Sequence, residues 1–116
     1  MSAIFRVLPE RIIVREPGVK TSRSGAQTDD WDNPVEVGNF PAAVQGLTGT
    51  EFAEEGREAA RARYRVYMHP DADVSRKSRL SWDDKVLEVR GQPRVVYSLL
   101  TGEAHHLEID VWEGVG

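Results

Sequence analysis

From Tyr64 to Trp112 the chain reads as a string of short strands, and this stretch constrains the fold more than any other. Residues 64–68 alternate apolar and polar side chains, 86–90 and 95–99 are β-branched and apolar runs, and 106–112 alternates again. Between these runs stand His69-Pro70-Asp71, Asp83-Asp84, Gly91-Gln92-Pro93 and Thr101-Gly102-Glu103, each with the chemistry of a tight turn. Period-2 alternation places Tyr64, Val66 and Met68 on one face and Arg63, Arg65 and Tyr67 on the other. By the same rule Leu80 and Trp82 share a face. Leu107, Ile109 and Val111 then point inward, while Glu108, Asp110 and Trp112 point outward. Strands joined this closely must close or sandwich to protect their edges. The expected fold is therefore mainly β, a small antiparallel β-barrel or compact sandwich.

Upstream, Arg11-Ile12-Ile13-Val14-Arg15 is a strand candidate whose three consecutive apolar residues call for cover on both faces. Residues 39–47 form a second, weakened by Pro41 and Gly46. Between them, residues 17–34 are polar almost throughout and predict a long loop, functional or mobile. Trp31 argues against a floppy surface loop, since a loop that carries a tryptophan usually buries it somewhere. Residues 50–61 predict one short helix or an extended connection. Thr50 is its cap, Glu51, Glu54 and Glu55 lie near the positive end of the dipole, and Arg57, Arg61 and Arg63 lie near the other end.

With 116 residues, 40% of them apolar and 29% charged, the chain is expected to be a single globular domain spanning 1–116. It has no cysteine, which excludes a disulfide framework or a thiolate metal site. A signal-peptide core and a transmembrane-length apolar run are absent, so a soluble protein without membrane contact is expected. The net charge of −4 argues against general binding to a phosphate backbone. That charge is unevenly spread. Arg61, Arg63, Arg65, Arg76 and Arg79 crowd the middle, and Glu108, Asp110 and Glu113 make the end acidic. Such rows suit subunit-interface charges that set register in a head-to-tail assembly.

Constellations for chemistry are sparse. His69, His105, His106 and Glu108 carry the side chains of a metal or acid–base site. Adjacent histidines on a regular strand point to opposite faces, however, and His69-Pro70-Asp71 is better read as a turn. No nucleophile-elbow or phosphate-loop pattern occurs. The chain is thus expected to have no catalytic residues, no metal and no cofactor, and not to be an enzyme. A nucleic-acid-binding module of the OB type, using Arg63, Arg65, Tyr67 and Trp82, is the alternative from another class.

The order of residues 67–74 (YMHPDADV), 79–82 (RLSW), 87–93 (LEVRGQP) and 100–114 (LTGEAHHLEIDVWEG) resembles the C-terminal half of tailed-phage head-to-tail stopper proteins. These are also called head-closure or head–tail joining proteins. Trp31-Asp32-Asn33-Pro34 and Ala43-Val44-Gln45-Gly46 are similar in order, so the likeness runs over roughly residues 30–114. The Asp83-Asp84 turn departs from it, since a glycine is expected there. The resemblance implies a β-barrel structural protein of the virion neck, made in the host cytoplasm and assembled as a homo-oligomeric ring. Its implied partners are the portal or adaptor and the tail proteins, with packaged DNA passing the channel without sequence-specific binding. The resemblance makes the 17–34 loop, with Lys20, Arg23, Asp29, Asp30 and Trp31, the candidate channel-closing or partner-contacting element. A tail terminator or an adaptor is the neighbouring alternative.

Overall fold

The computed structural model describes residues 8–47 and 62–114. Seven strands follow one another in these residues: β1 (Glu10–Thr21), β2 (Gln27–Leu47), β3 (Arg63–Met68), β4 (Arg79–Trp82), β5 (Lys85–Val89), β6 (Arg94–Tyr97) and β7 (Ala104–Glu113). All pair antiparallel in one sheet of order β3-β2-β1-β4-β5-β7-β6. Because β3 also pairs with β7, six of the seven strands close into a ring. β6 is the exception. It lies beside residues 104–108 of β7, on the edge that β5 occupies at residues 111–113.

Closure follows from the apolar alternation. Ile12, Val14, Val66, Met68, Leu80, Leu87, Leu107, Ile109 and Val111 all point into the ring and are buried. Burial of each such side chain stabilises the fold by roughly 1.5–3 kcal/mol relative to exposure. Tyr64 and Trp82 meet edge to face across one end of this core, with centroids 5.3 Å apart. The inward faces expected for β3, β4 and β7 are those observed. Pro41 and Gly46 do not interrupt β2, which keeps pairing with β1 and β3 around them.

Two expectations are corrected here. Residues 17–34 are not a loop: β1 and β2 continue into them as a twisted two-stranded arm, paired Gly18↔Asp30 through Thr21↔Gln27 and closed by a turn at 22–26. Backbone hydrogen bonds explain the order of this polar stretch, since a ribbon satisfies its amides whatever its side chains. Register slips between Glu16 and Gly18, so residues 31–34 of β2 arch out of the ladder as a bulge. The arch presses on Gly18, where a Cβ would collide with the Asn33 carbonyl oxygen. Among the described residues there is no helix, and the short helix expected over 50–61 lies outside them.

The second correction concerns the histidines. Val96 pairs with His106 but Tyr97 pairs with Ala104, which leaves His105 as the extra residue of a β-bulge. A bulge breaks strict alternation and re-aims one side chain. His105 and His106 consequently meet, Nδ1 to Nδ1 at 2.8 Å, instead of facing apart.

At the β4–β5 hairpin, Trp82 pairs with Lys85 and the turn is Asp83-Asp84. Both aspartates are left-handed, with φ of 48° and 62°. This is the pattern of a type I′ turn, the two-residue turn whose twist matches that of its strands. Aspartate tolerates it better than most non-glycine residues.

Candidate functional site

The functional surfaces are built from three pieces: the arm, the charged face of β3 and β7, and the histidine bulge. The short loop before β4 and the first residue of that strand brace the arm at three points. The Glu16 carboxylate accepts hydrogen bonds from Ser75 Oγ (2.9 Å) and from the buried Ser78 Oγ (2.7 Å). Lys77 Nζ lies 3.0 Å from Asp29 Oδ1, and the Arg79 guanidinium sits 4.0 Å over the Trp31 ring. Within the arch, Asp30 accepts from the Asp32 amide (3.1 Å) and from Asn33 Nδ2 (2.9 Å). The Asn33 bond holds the Asp30 carboxyl below its usual value. Lys20 and Arg23, nearer the tip, are exposed. Of the residues singled out on this segment, Asp29 and Trp31 thus meet Lys77 and Arg79, while Asp30 bonds Asp32 and Asn33 within the arch. The charge of Lys20 helps to lower the Asp30 pKa, and Arg23 stands apart.

The basic and acidic rows come together inside the chain, because β3 and β7 are neighbours. Arg65 pairs directly across from Asp110, and its Nε donates to Asp110 Oδ1 at 2.9 Å. Glu108 stands 3.8 Å from the same nitrogen, and Arg94 of β6 reaches both carboxylates, at 3.6 Å and 3.3 Å. Burial works to raise the Asp110 pKa, but the hydrogen bonds and charges of Arg65 and Arg94 outweigh it and hold the carboxyl below its ordinary value. Asp110 in turn raises the Arg65 pKa. Partly exposed charged pairs of this kind each add modestly to stability, and here they neutralise the charges of β3, β6 and β7 against one another.

Arg63 is buried, and its guanidinium lies 5.8 Å from the Trp112 ring, whose other cationic neighbour is Arg90 at 5.3 Å. Burial, then the charge of Arg90, lowers the Arg63 pKa from its ordinary value. Arg79 pairs across the β4–β5 ladder with Glu88, Arg76 is exposed, and Glu113 closes β7 opposite Leu87. Arg61 lies outside the described residues.

In the bulge, His106 Nε2 lies 2.9 Å from Glu108 Oε2 while its Nδ1 faces His105. Tyr67 covers the ring from β3, at a centroid distance of 5.6 Å. The chain of contacts therefore runs His105, His106, Glu108, Arg65, Asp110. His69 is not part of it. Its Nδ1 accepts from the Asp71 amide at 3.1 Å in a turn closed by Ala72 N–H on the His69 carbonyl. Among the described residues, no group of three or more His, Asp or Glu is arranged to hold a metal ion.

Sequence reasoning did not anticipate two surface features. One is the turn after β6, which carries Leu99 and Leu100 fully exposed. The other is a cleft of about 480 Å³ over the outer face of β1, β4 and β5. The sequence pattern places Leu99 at the end of the 95–99 strand run, but β6 ends at Tyr97 and both leucines fall in the turn. The cleft was not visible in the sequence, because β1 and Asn39 of β2 build it together with the β4–β5 hairpin, about 40 to 70 residues away in the chain.

Comparison with known proteins gives three findings. Solved structures include one of similar fold, protein SF1141 from Shigella flexneri 2a. It is 21% identical, covers 93% of this chain and 94% of its own, and superposes with a TM-score of 0.66. At that identity the likeness concerns the fold alone. No curated protein matches the chain. Residues 6–110 match the family described as phage head completion protein. That match spans nearly the whole ring of strands together with the arm, and the family is one of structural virion proteins at the head–tail junction. The chain belongs to the phage head completion protein family.

Proposed function

We propose that the protein is the head-to-tail stopper of its virion. In this reading, copies form a ring in the neck that closes the DNA-filled head and offers the tail its docking surface. The observation that carries it is the family match over residues 6–110. Supporting it, the six-strand ring is a rigid wall, and the braced arm projects beyond it as the contact element for a neighbouring protein. Lys20, Arg23, Asp29, Asp30 and Trp31 are the contact residues on that arm. The interface charges assigned to Arg61, Arg63, Arg65, Arg76, Arg79, Glu108, Asp110 and Glu113 divide in this reading. Arg65, Glu108 and Asp110 neutralise one another within the subunit, so exposed Arg76 and Lys20 are better placed to meet a neighbour. A net charge of −4 suits a channel wall through which DNA passes without adhering.

Purification of neck particles through a tagged portal protein tests this. The protein is expected in the particle, as a ring distal to the portal in electron microscopy. Its absence from particles that contain portal, adaptor and tail proteins refutes the reading.

A further inference from the structure

The turn after β6 is rigid as well as apolar. Ser98 N–H bonds the Glu103 carbonyl at 2.8 Å, and Gly102 N–H bonds the Ser98 carbonyl at 2.9 Å with Gly102 at φ 73°. Ser98 Oγ accepts from the amides of Leu100 (3.2 Å) and Thr101 (3.3 Å). This frame holds Leu99 and Leu100 in solvent at 103% and 97% exposure, with Val95 and Tyr97 of β6 also exposed beneath them. Two leucines on a preorganised turn lose little entropy on docking, and that is the condition for an anchor residue.

The cleft on β1, β4 and β5 has the complementary character. Asn39, Ile13, Ser81 and Val86 form one cross-strand row over four strands, on the outer face of the ring. Ile13 and Val86 supply the apolar floor, Trp82 borders it from the end of the core, and Arg11, Arg15 and Lys85 supply basic groups beside Asp83 and Asp84. An apolar centre inside a charged rim is the usual anatomy of a protein interface.

Turn and cleft lie at opposite ends of β7. The turn enters the strand at Ala104, whereas Gly114, just past its other end, donates to the Val86 carbonyl at 2.7 Å. Ten residues of strand separate them by roughly 30 Å, at about 3.3 Å per residue. No chain can therefore place its own turn in its own cleft.

We propose that Leu99 and Leu100 of one copy insert into the Ile13–Val86 cleft of a second copy. Glu103 at the foot of the turn then faces the Arg11 and Lys85 rim. The contact joins two different surfaces, so it propagates head to tail and closes into a ring if the rotation permits. The inference rests on the ring assembly proposed above and supplies its subunit contact.

The absence of native cysteine makes the test direct. The full-length double variant Leu100→Cys/Val86→Cys, oxidised at high concentration and in neck particles, is expected to give a ladder of cross-linked multimers. Each single variant is expected to give none beyond a dimer. Leu99→Asp/Leu100→Asp, which alters only exposed positions, is expected to weaken self-association at least tenfold with an unchanged circular dichroism spectrum. A ring seen in the particles without a ladder overturns this contact and leaves the ring standing. A ladder from free protein that never enters neck particles supports the contact and removes the ring reading. Neither ladder nor ring overturns the proposal.

Discussion

Asp84→Gly is expected to stabilise the protein. Asp84 sits at φ 62° and Asp83 at φ 48°, the two central positions of the β4–β5 turn. A non-glycine residue in left-handed conformation is disfavoured by about 1–2 kcal/mol, somewhat less for aspartate. Glycine removes that cost but loses about 0.5–1 kcal/mol through its freer unfolded chain. The net expectation is a gain of about 0.5 kcal/mol. With an unfolding entropy of about 2.1 cal/mol/K per residue, a chain of 116 residues shifts in Tm by about 2 °C for that gain. Differential scanning calorimetry resolves such a shift. Asp84→Ala separates backbone from side-chain effects, because it keeps the strain and loses the polar group, and it is expected to lower Tm. At Gly102, already glycine at φ 73°, Gly102→Ala is expected to cost about 1 kcal/mol, the same argument with its sign reversed. A fall in Tm for Asp84→Gly, or an unchanged Tm for Asp84→Ala, would refute the reasoning.

Three further outcomes are expected. Ile109→Ala removes a fully buried side chain facing Val66 across the β3–β7 ladder, and should cost about 2–5 kcal/mol in urea denaturation. Gly18→Ala drives a methyl group into the Asn33 carbonyl and should cost about 1–3 kcal/mol, with faster hydrogen exchange at residues 27–33 than in the core strands. Protection unchanged in the arm would contradict it. The depressed Asp110 pKa means that the carboxylate contributes stability that is fully present above its ordinary value of 3.8 and is lost as pH falls through the lower folded value. Urea midpoints should therefore fall on acidification below about pH 4. Asp110→Asn should flatten that acid limb, and an identical limb in the variant would exclude the carboxylate as its source.

Strands β3, β4 and β7 were legible because each has one wet face and one dry face, whereas β6 is exposed on both faces and was read only from its β-branched composition. Leu107, Ile109 and Val111 alternate with Glu108, Asp110 and Trp112, and the period declares itself. The arm offers no such contrast. Lys20, Thr21, Gln27, Thr28 and Asp29 are polar on both faces, and a ribbon solvated on both sides has no hydrophobic period to read. What holds it is backbone pairing and the bracing residues Ser75, Ser78, Lys77 and Arg79, some 60 residues away in the chain for Ser78 and Glu16. The charge rows were legible as rows but not as partners, since the β3–β7 pairing that joins Arg65 to Asp110 is a long-range choice. Similarly, the meeting of His105 with His106 depends on a register slip against β6 that no local pattern announces.

Closure of the ring on β7 has a mechanical consequence. Six consecutive residues of β3, Arg63 to Met68, pair with β7 on one edge, while β5 and β6 hold the other. Antiparallel hydrogen bonds run perpendicular to the strands. A force along β7 therefore loads all of these bonds together in shear, and none can peel open ahead of the rest. Strand β6, clamped along one edge only, is the element through which a transverse pull would start to unzip the subunit.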